Sequence, residues 1–109
     1  MTNLFFIPAT GHLDGFIYYV QILRESDGYI WDGAVMAASP DYTATEVALD
    51  EINSMGVWSL AEVPSDLPVG TYMVIGRRRA TASPAAATDD IVGEPKRIKK
   101  KPNGSVVVL

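Results

Sequence analysis

The sequence contains no cysteine, a single histidine (His12), and only one basic side chain, Arg24, among its first 76 residues. Without cysteine there is no disulfide framework, thiol nucleophile or cysteine-bound zinc, which fits a cytosolic protein or a particle assembled in cytoplasm. A lone histidine beside Gly11 in a turn-rich stretch reads as a turn residue rather than a general base or ligand. No apolar run approaches the roughly 20 residues of a membrane-spanning helix, so no membrane partner is expected. The opening MTNLFFIPATGH has no basic start and no small-residue cleavage site, and is expected to be a first strand rather than a signal peptide. A glycine-rich phosphate loop, a nucleophile elbow and a paired-acid motif are also missing. Asp27, Asp32, Asp41, Asp50 and Glu51 lack calcium-loop spacing. The expectation is a protein that is not an enzyme, with no catalytic residues, no metal and no cofactor.

What is present is strand and turn chemistry. A chain of 109 residues makes one domain, 1–109, able to bury roughly two thirds of its unfolded surface. Residues 1–14 read as an N-terminal strand, Leu4 to Ile7, and a connecting loop, the strand pairing either in its own sheet or with a neighbour. GFIYYVQILRESDGYIWDG reads as a hairpin turning at Ser26-Asp27-Gly28, with Asp32-Gly33 as a bulge before AVMAA. GVWSLAEV and GTYMVIGRRRA read as two strands joined by the turn residues of PSDLPVG. Residues 91–109 read as a C-terminal basic hairpin, Ile91 to Ile98 and Ser105 to Leu109, with Asn103-Gly104 suited to a type I′ turn.

One segment has two readings. In TATEVALDEINSMG, Ala44, Val47, Ala48, Ile52 and Met55 recur at helical spacing, with Thr43 and Glu46 as a capping box. A strand from Thr45 to Glu51 with an Asn-Ser-Met-Gly turn suits its extended neighbours better and is the preferred reading. About seven or eight short strands at intervals of about 8 to 12 residues then predict an all-β fold, a single antiparallel β-sandwich of immunoglobulin-like type. Tyr72, two residues after Gly70, is expected to act as a corner tyrosine, ring in the core and hydroxyl on nearby backbone.

Charge is segregated along the chain. Residues 1–76 hold ten acids against one base, net −9, and residues 77–109 have net +5. Five of the nine basic residues lie in PKRIKKKPNG, residues 95–104. The acidic majority would repel a phosphate backbone, so nucleic acid is not the expected partner. Opposite poles instead suit contacts between copies, a homo-oligomer, and FIYYVQIL, TYMVI and SVVVL are apolar on both faces, as if a terminal segment or a neighbouring subunit covered the second one. Arg77, Arg79, Lys96, Lys99, Lys100 and Lys101 would supply a basic contact for an acidic protein. The alternative is a carbohydrate-binding or adhesion module in which Trp31, Tyr42 and Trp58 form a glycan platform. Exposure of those rings discriminates the two.

The ordered set GYIWDGAVMA, EVALDE, LPVGTYMVIGRRRATASPAAATDDIVG and closing GSVVVL resembles a group of small phage and prophage virion proteins over roughly residues 15–109. Their pattern has an early aromatic-Trp-polar-Gly hairpin, then Pro-x-Gly-x-Tyr, a small-residue loop and a terminal apolar strand. The resemblance implies an immunoglobulin-like or transthyretin-like sandwich and a virion structural role, as capsid decoration or cement or as a neck or tail accessory. It further implies assembly in the bacterial host cytoplasm and contact with the major capsid protein or a neck or tail protein. Where that pattern has a Trp and few charges in the closing hairpin, this chain has KRIKKKPNG.

Overall fold

The computed structural model describes residues 4–9, 14–38, 47–52, 55–60, 63–86 and 88–109. Among them no helix occurs, and the chain forms eleven strands: β1 (Leu4–Phe6), β2 (Phe16–Arg24), β3 (Ile30–Trp31), β4 (Met36–Ala37), β5 (Val47–Ala48), β6 (Asp50–Glu51), β7 (Trp58–Leu60), β8 (Gly70–Ala80), β9 (Asp90–Ile91), β10 (Lys96–Lys100) and β11 (Val106–Val108). Every pairing is antiparallel. The all-β expectation holds, with more and shorter strands than the seven or eight anticipated.

The strands form two sheets. The larger runs β11-β10-β8-β2-β3-β4, with β5 also on β2 and β9 also on β8; the smaller runs β1-β7-β6. The spine is the β2–β8 pair, in continuous register from Phe16↔Ala80 to Arg24↔Tyr72. Alternation along these strands turns Tyr18, Val20 and Ile22 inward from β2 and Tyr72 and Val74 from β8, where they join Leu4, Phe6, Trp58 and Leu60 of the smaller sheet in one core. Tyr18 stacks on Trp58 across the sheets, centroids 3.8 Å apart. Gly76 faces Phe6, and a Cβ there would stand 2.7 Å from both the Phe6 ring and the Val92 carbonyl, so the absent side chain is what lets the sheets approach.

Several turns differ from their sequence reading. Asp32-Gly33 is no bulge: the chain reverses there, giving the β3–β4 pair Trp31↔Met36. Gly33 takes a φ of 99°, and Asp32 Oδ1 accepts the amides of Ala34 and Val35, bonds that hold its carboxyl below the ordinary aspartate range. β7 and β8 lie in different sheets, so PSDLPVG is a crossing rather than a hairpin turn. The terminal hairpin turns one residue earlier than expected, with Gly104 N–H donating to Lys101 O and Lys101 N–H to Ser105 O. Pro102, whose ring fixes a negative φ, therefore stands where a type I′ turn would demand a positive one. The result is a three-residue loop, Pro102-Asn103-Gly104, with Gly104 at φ 86°.

The contested segment is extended where it is described. Val47–Ala48 pairs with β2 and Asp50–Glu51 with β7, so the chain crosses between sheets at Leu49. Leu49 is buried while Ala48 is exposed, the reverse of what the helical spacing required. Thr43 and Glu46, the proposed capping box, lie outside the described residues. The corner tyrosine is in place: Tyr72 is fully buried and its hydroxyl donates to Pro68 O at 2.6 Å. Burial raises its phenol above the ordinary tyrosine range.

Candidate protein interface

The outward face of β2 and β8 shows what the two-sided apolar strands are for. Tyr19 points away from the core yet is fully buried. Its hydroxyl meets the connection between β8 and β9 of the same chain. Asp89 Oδ2 accepts the Tyr19 hydroxyl at 2.5 Å and the Ala86 amide at 2.9 Å. Arg77 donates to Asp89 O at 2.8 Å, and Arg79 to Ser83 O at 2.8 Å. Burial, then the bond to Asp89, pushes the Tyr19 phenol well above its ordinary range. Two basic side chains and a tyrosine thus strap this connection to the sheet.

The six basic residues singled out from the sequence do not form one surface. Arg77 and Arg79 serve the strap. Alternation on β10 puts Lys96, Ile98 and Lys100 on the inward side, opposite Val74, Tyr72 and Gly70. Lys100 is buried, 8% exposed, and its ammonium donates to Ser65 O at 2.9 Å. Lys96 lies 5.8 Å from the Phe6 ring centre. Lys99 is on the outward side and Lys101 at the turn, both exposed. The remaining cations are paired: Arg24 with Asp27, Arg78 with Asp90, and Arg97 with Glu25 at 2.7 Å. Glu25, 72 residues away in sequence, raises the Arg97 guanidinium above its usual range. Of nine basic residues, all described, Lys99 and Lys101 alone have no internal partner among the described residues.

The glycan platform does not assemble from the residues that are described. Trp31 and Trp58 are 3% and 5% exposed, so neither offers a free stacking face, and Tyr42 lies outside the described residues. His12 lies outside them too. Among the described residues no group of three His, Asp or Glu side chains converges to hold a metal. The exposed large apolar side chains include Phe5, Ile7, Ile91, Val108 and Leu109. Ile7 and Ile91 share a cleft of about 410 Å³ with Arg78 and Glu94. The sequence gives no sign of this cleft because its walls come from distant segments, at residues 7–9 and 91–94, that carry no motif.

A second cleft, of about 330 Å³, opens where β2 begins, between Phe16 and Tyr18 on one side and Leu49, Glu51 and Trp58 on the other. Asp14 and Glu51 give it two carboxylates, and neither Lys nor Arg lines it. Tyr18, only 4% exposed, lines it as well, opposite Arg78 in the β2–β8 pair. No family model, curated protein or solved structure matches the chain.

Proposed function

We propose that the protein is a non-enzymatic structural component that works through protein–protein contacts and self-association, of the kind that decorates a phage capsid or joins its neck and tail. The observation that carries the reading is the sorting of the cations. Seven are engaged inside the molecule, whereas Lys99 and Lys101 stand exposed on the terminal hairpin, with no internal partner among the described residues, in a chain with net charge −4. Exposed charges without an internal role are the ones available to a neighbour, and steering by opposite charge favours an acidic one. The exposed apolar side chains Ile7, Ile91, Val108 and Leu109 add area that a partner would bury.

An immunoglobulin-like or transthyretin-like sandwich is part of the proposal. Two antiparallel sheets closing on one core and the Tyr72 corner support it. So does the resemblance to small phage and prophage virion proteins, which favours a virion assembled in the bacterial cytoplasm. A glycan-binding role is the weaker reading, since Trp31 and Trp58 are buried.

Light scattering on the purified protein over a range of concentration, at low and high salt, tests the contact. A discrete oligomer that loosens in salt is expected, and a monomer throughout would contradict the reading. Mass spectrometry of purified particles from the bacterium that carries the gene tests the virion location.

A further inference from the structure

The tip of the terminal hairpin carries a chemistry that a contact between proteins does not need. Asn103 and Gly104 are both exposed, in the three-residue loop between Lys101 and Ser105. Asn103 Oδ1 accepts two hydrogen bonds from Ser105, one from its amide at 3.0 Å and one from its hydroxyl at 2.7 Å. Reaching the amide two residues on folds the Asn103 side chain back over the intervening Gly104 nitrogen. That nitrogen belongs to the residue type with no side chain to obstruct it, and nothing lies within 4 Å of where a Cβ would stand.

An amide so placed is open to attack from within the chain. The Gly104 nitrogen gives its proton to solvent base and bonds to Asn103 Cγ, the Cγ–Nδ2 bond breaks, and ammonia leaves from a closed succinimide ring. Water then opens the ring at either carbonyl, leaving aspartate or isoaspartate, so water is the only co-reactant consumed. In the first step negative charge collects on Oδ1, where both Ser105 donors already point, an arrangement of the oxyanion-hole kind. The brake is the bond from Gly104 N–H to Lys101 O at 2.9 Å, which must open first. It is one hydrogen bond at an exposed tip, where local opening costs least.

We propose that Asn103 is a site of spontaneous deamidation, activated by Ser105, and that the new carboxylate weakens the hairpin's contact with an acidic neighbouring copy. Lys99 and Lys101 are exposed, with no internal partner among the described residues. A carboxylate at position 103 sets −1 beside their +2 and takes the chain from −4 to −5. Isoaspartate also adds a main-chain methylene to the short loop. The second half of the proposal rests on the reading of these lysines as the self-association contact.

The test incubates the full chain, warm and mildly alkaline, and follows its asparagines, Asn3, Asn53 and Asn103, by peptide mass spectrometry with an isoaspartate methylation assay. Asn103 should convert well ahead of the other two, which precede Leu4 and Ser54 rather than glycine. Asn103→Gln, whose longer side chain cannot close the five-membered ring, should abolish methylation at this loop. Ser105→Ala should slow conversion about fivefold, the rate equivalent of one hydrogen bond. In light scattering, Asn103→Asp should associate about twofold to fivefold more weakly and Asn103→Gln like wild type. An Asn103 that converts no faster than Asn3 and Asn53 overturns the site and leaves self-association standing. Ser105→Ala that converts as fast as wild type overturns the activation, and Asn103→Asp that associates like wild type overturns the effect on the contact. A wild type that is monomeric at every concentration overturns the contact and leaves the conversion standing.

Discussion

The connection 81–89 and the hairpin of β10 and β11 flank the same long strand, and both involve basic residues that sit close together in the sequence. Around the connection the cations are consumed: Arg77 holds Asp89 O and Arg79 holds Ser83 O, while Asp89 caps the buried Tyr19. On the hairpin they divide by parity, Lys100 turning inward to Ser65 and Lys99 and Lys101 exposed, with no internal partner among the described residues. A run of like charge is therefore not a surface. Strand alternation splits it, and what remains for partners is what the fold does not use.

This contrast can be broken most severely at the strap. Asp89→Ala removes the acceptor of a buried tyrosine hydroxyl and should cost about 1–3 kcal/mol in urea unfolding. Tyr19→Phe should recover part of that loss in the double variant, because it removes the hydroxyl left stranded. Full additivity of the two would break the link between them.

Lys100 comes next. Lys100→Ala leaves Ser65 O without its donor and should cost on the order of 1 kcal/mol. Lys99→Ala and Lys101→Ala should each stay within about 0.5 kcal/mol of wild type. Equal effects at all three positions would erase the division by parity.

Alkaline titration sharpens the strap further. The Tyr19 phenol is raised above its unfolded value, so its contribution to stability is present below the ordinary tyrosine pKa of about 10 and is lost as pH rises beyond it. Wild type should thus lose stability faster than Tyr19→Phe in strongly alkaline solution, as read by chemical unfolding at stepped pH. Parallel curves would mean that the buried phenol is not linked to folding. A smaller effect of opposite sign is expected in acid: Arg24 depresses the Asp27 carboxyl, so that contribution is lost as pH falls through and below the aspartate range. Arg24→Ala should flatten it.

Much of the fold was legible because it rests on local rules. Aromatic and β-branched runs between Gly, Asp and Pro turns marked β2, β8 and the terminal hairpin, and Gly-x-Tyr marked the corner at Tyr72. The sheet membership of β7 and β8 was not legible, since a Pro-Asp-Gly connection reads the same whether it turns within a sheet or crosses between two. Helical spacing in residues 44–55 arose from small residues that also fit an exposed strand position, as at Ala48, and only pairing to β2 and β7 decides for Val47–Glu51. The basic hairpin was visible as a run. Which of its lysines are free depends on the inward register against β8, and the cleft at Phe16, Tyr18 and Trp58 depends on two sheets meeting.

Amine-reactive labelling of the native protein, read lysine by lysine by mass spectrometry, tests the division of the cations most directly. Lys99 and Lys101 should modify rapidly in dilute solution and Lys100 slowly, with the two exposed lysines becoming protected in concentrated, low-salt protein. Labelling of Lys100 as fast as its two neighbours, or exposed lysines equally reactive at every concentration, would contradict it.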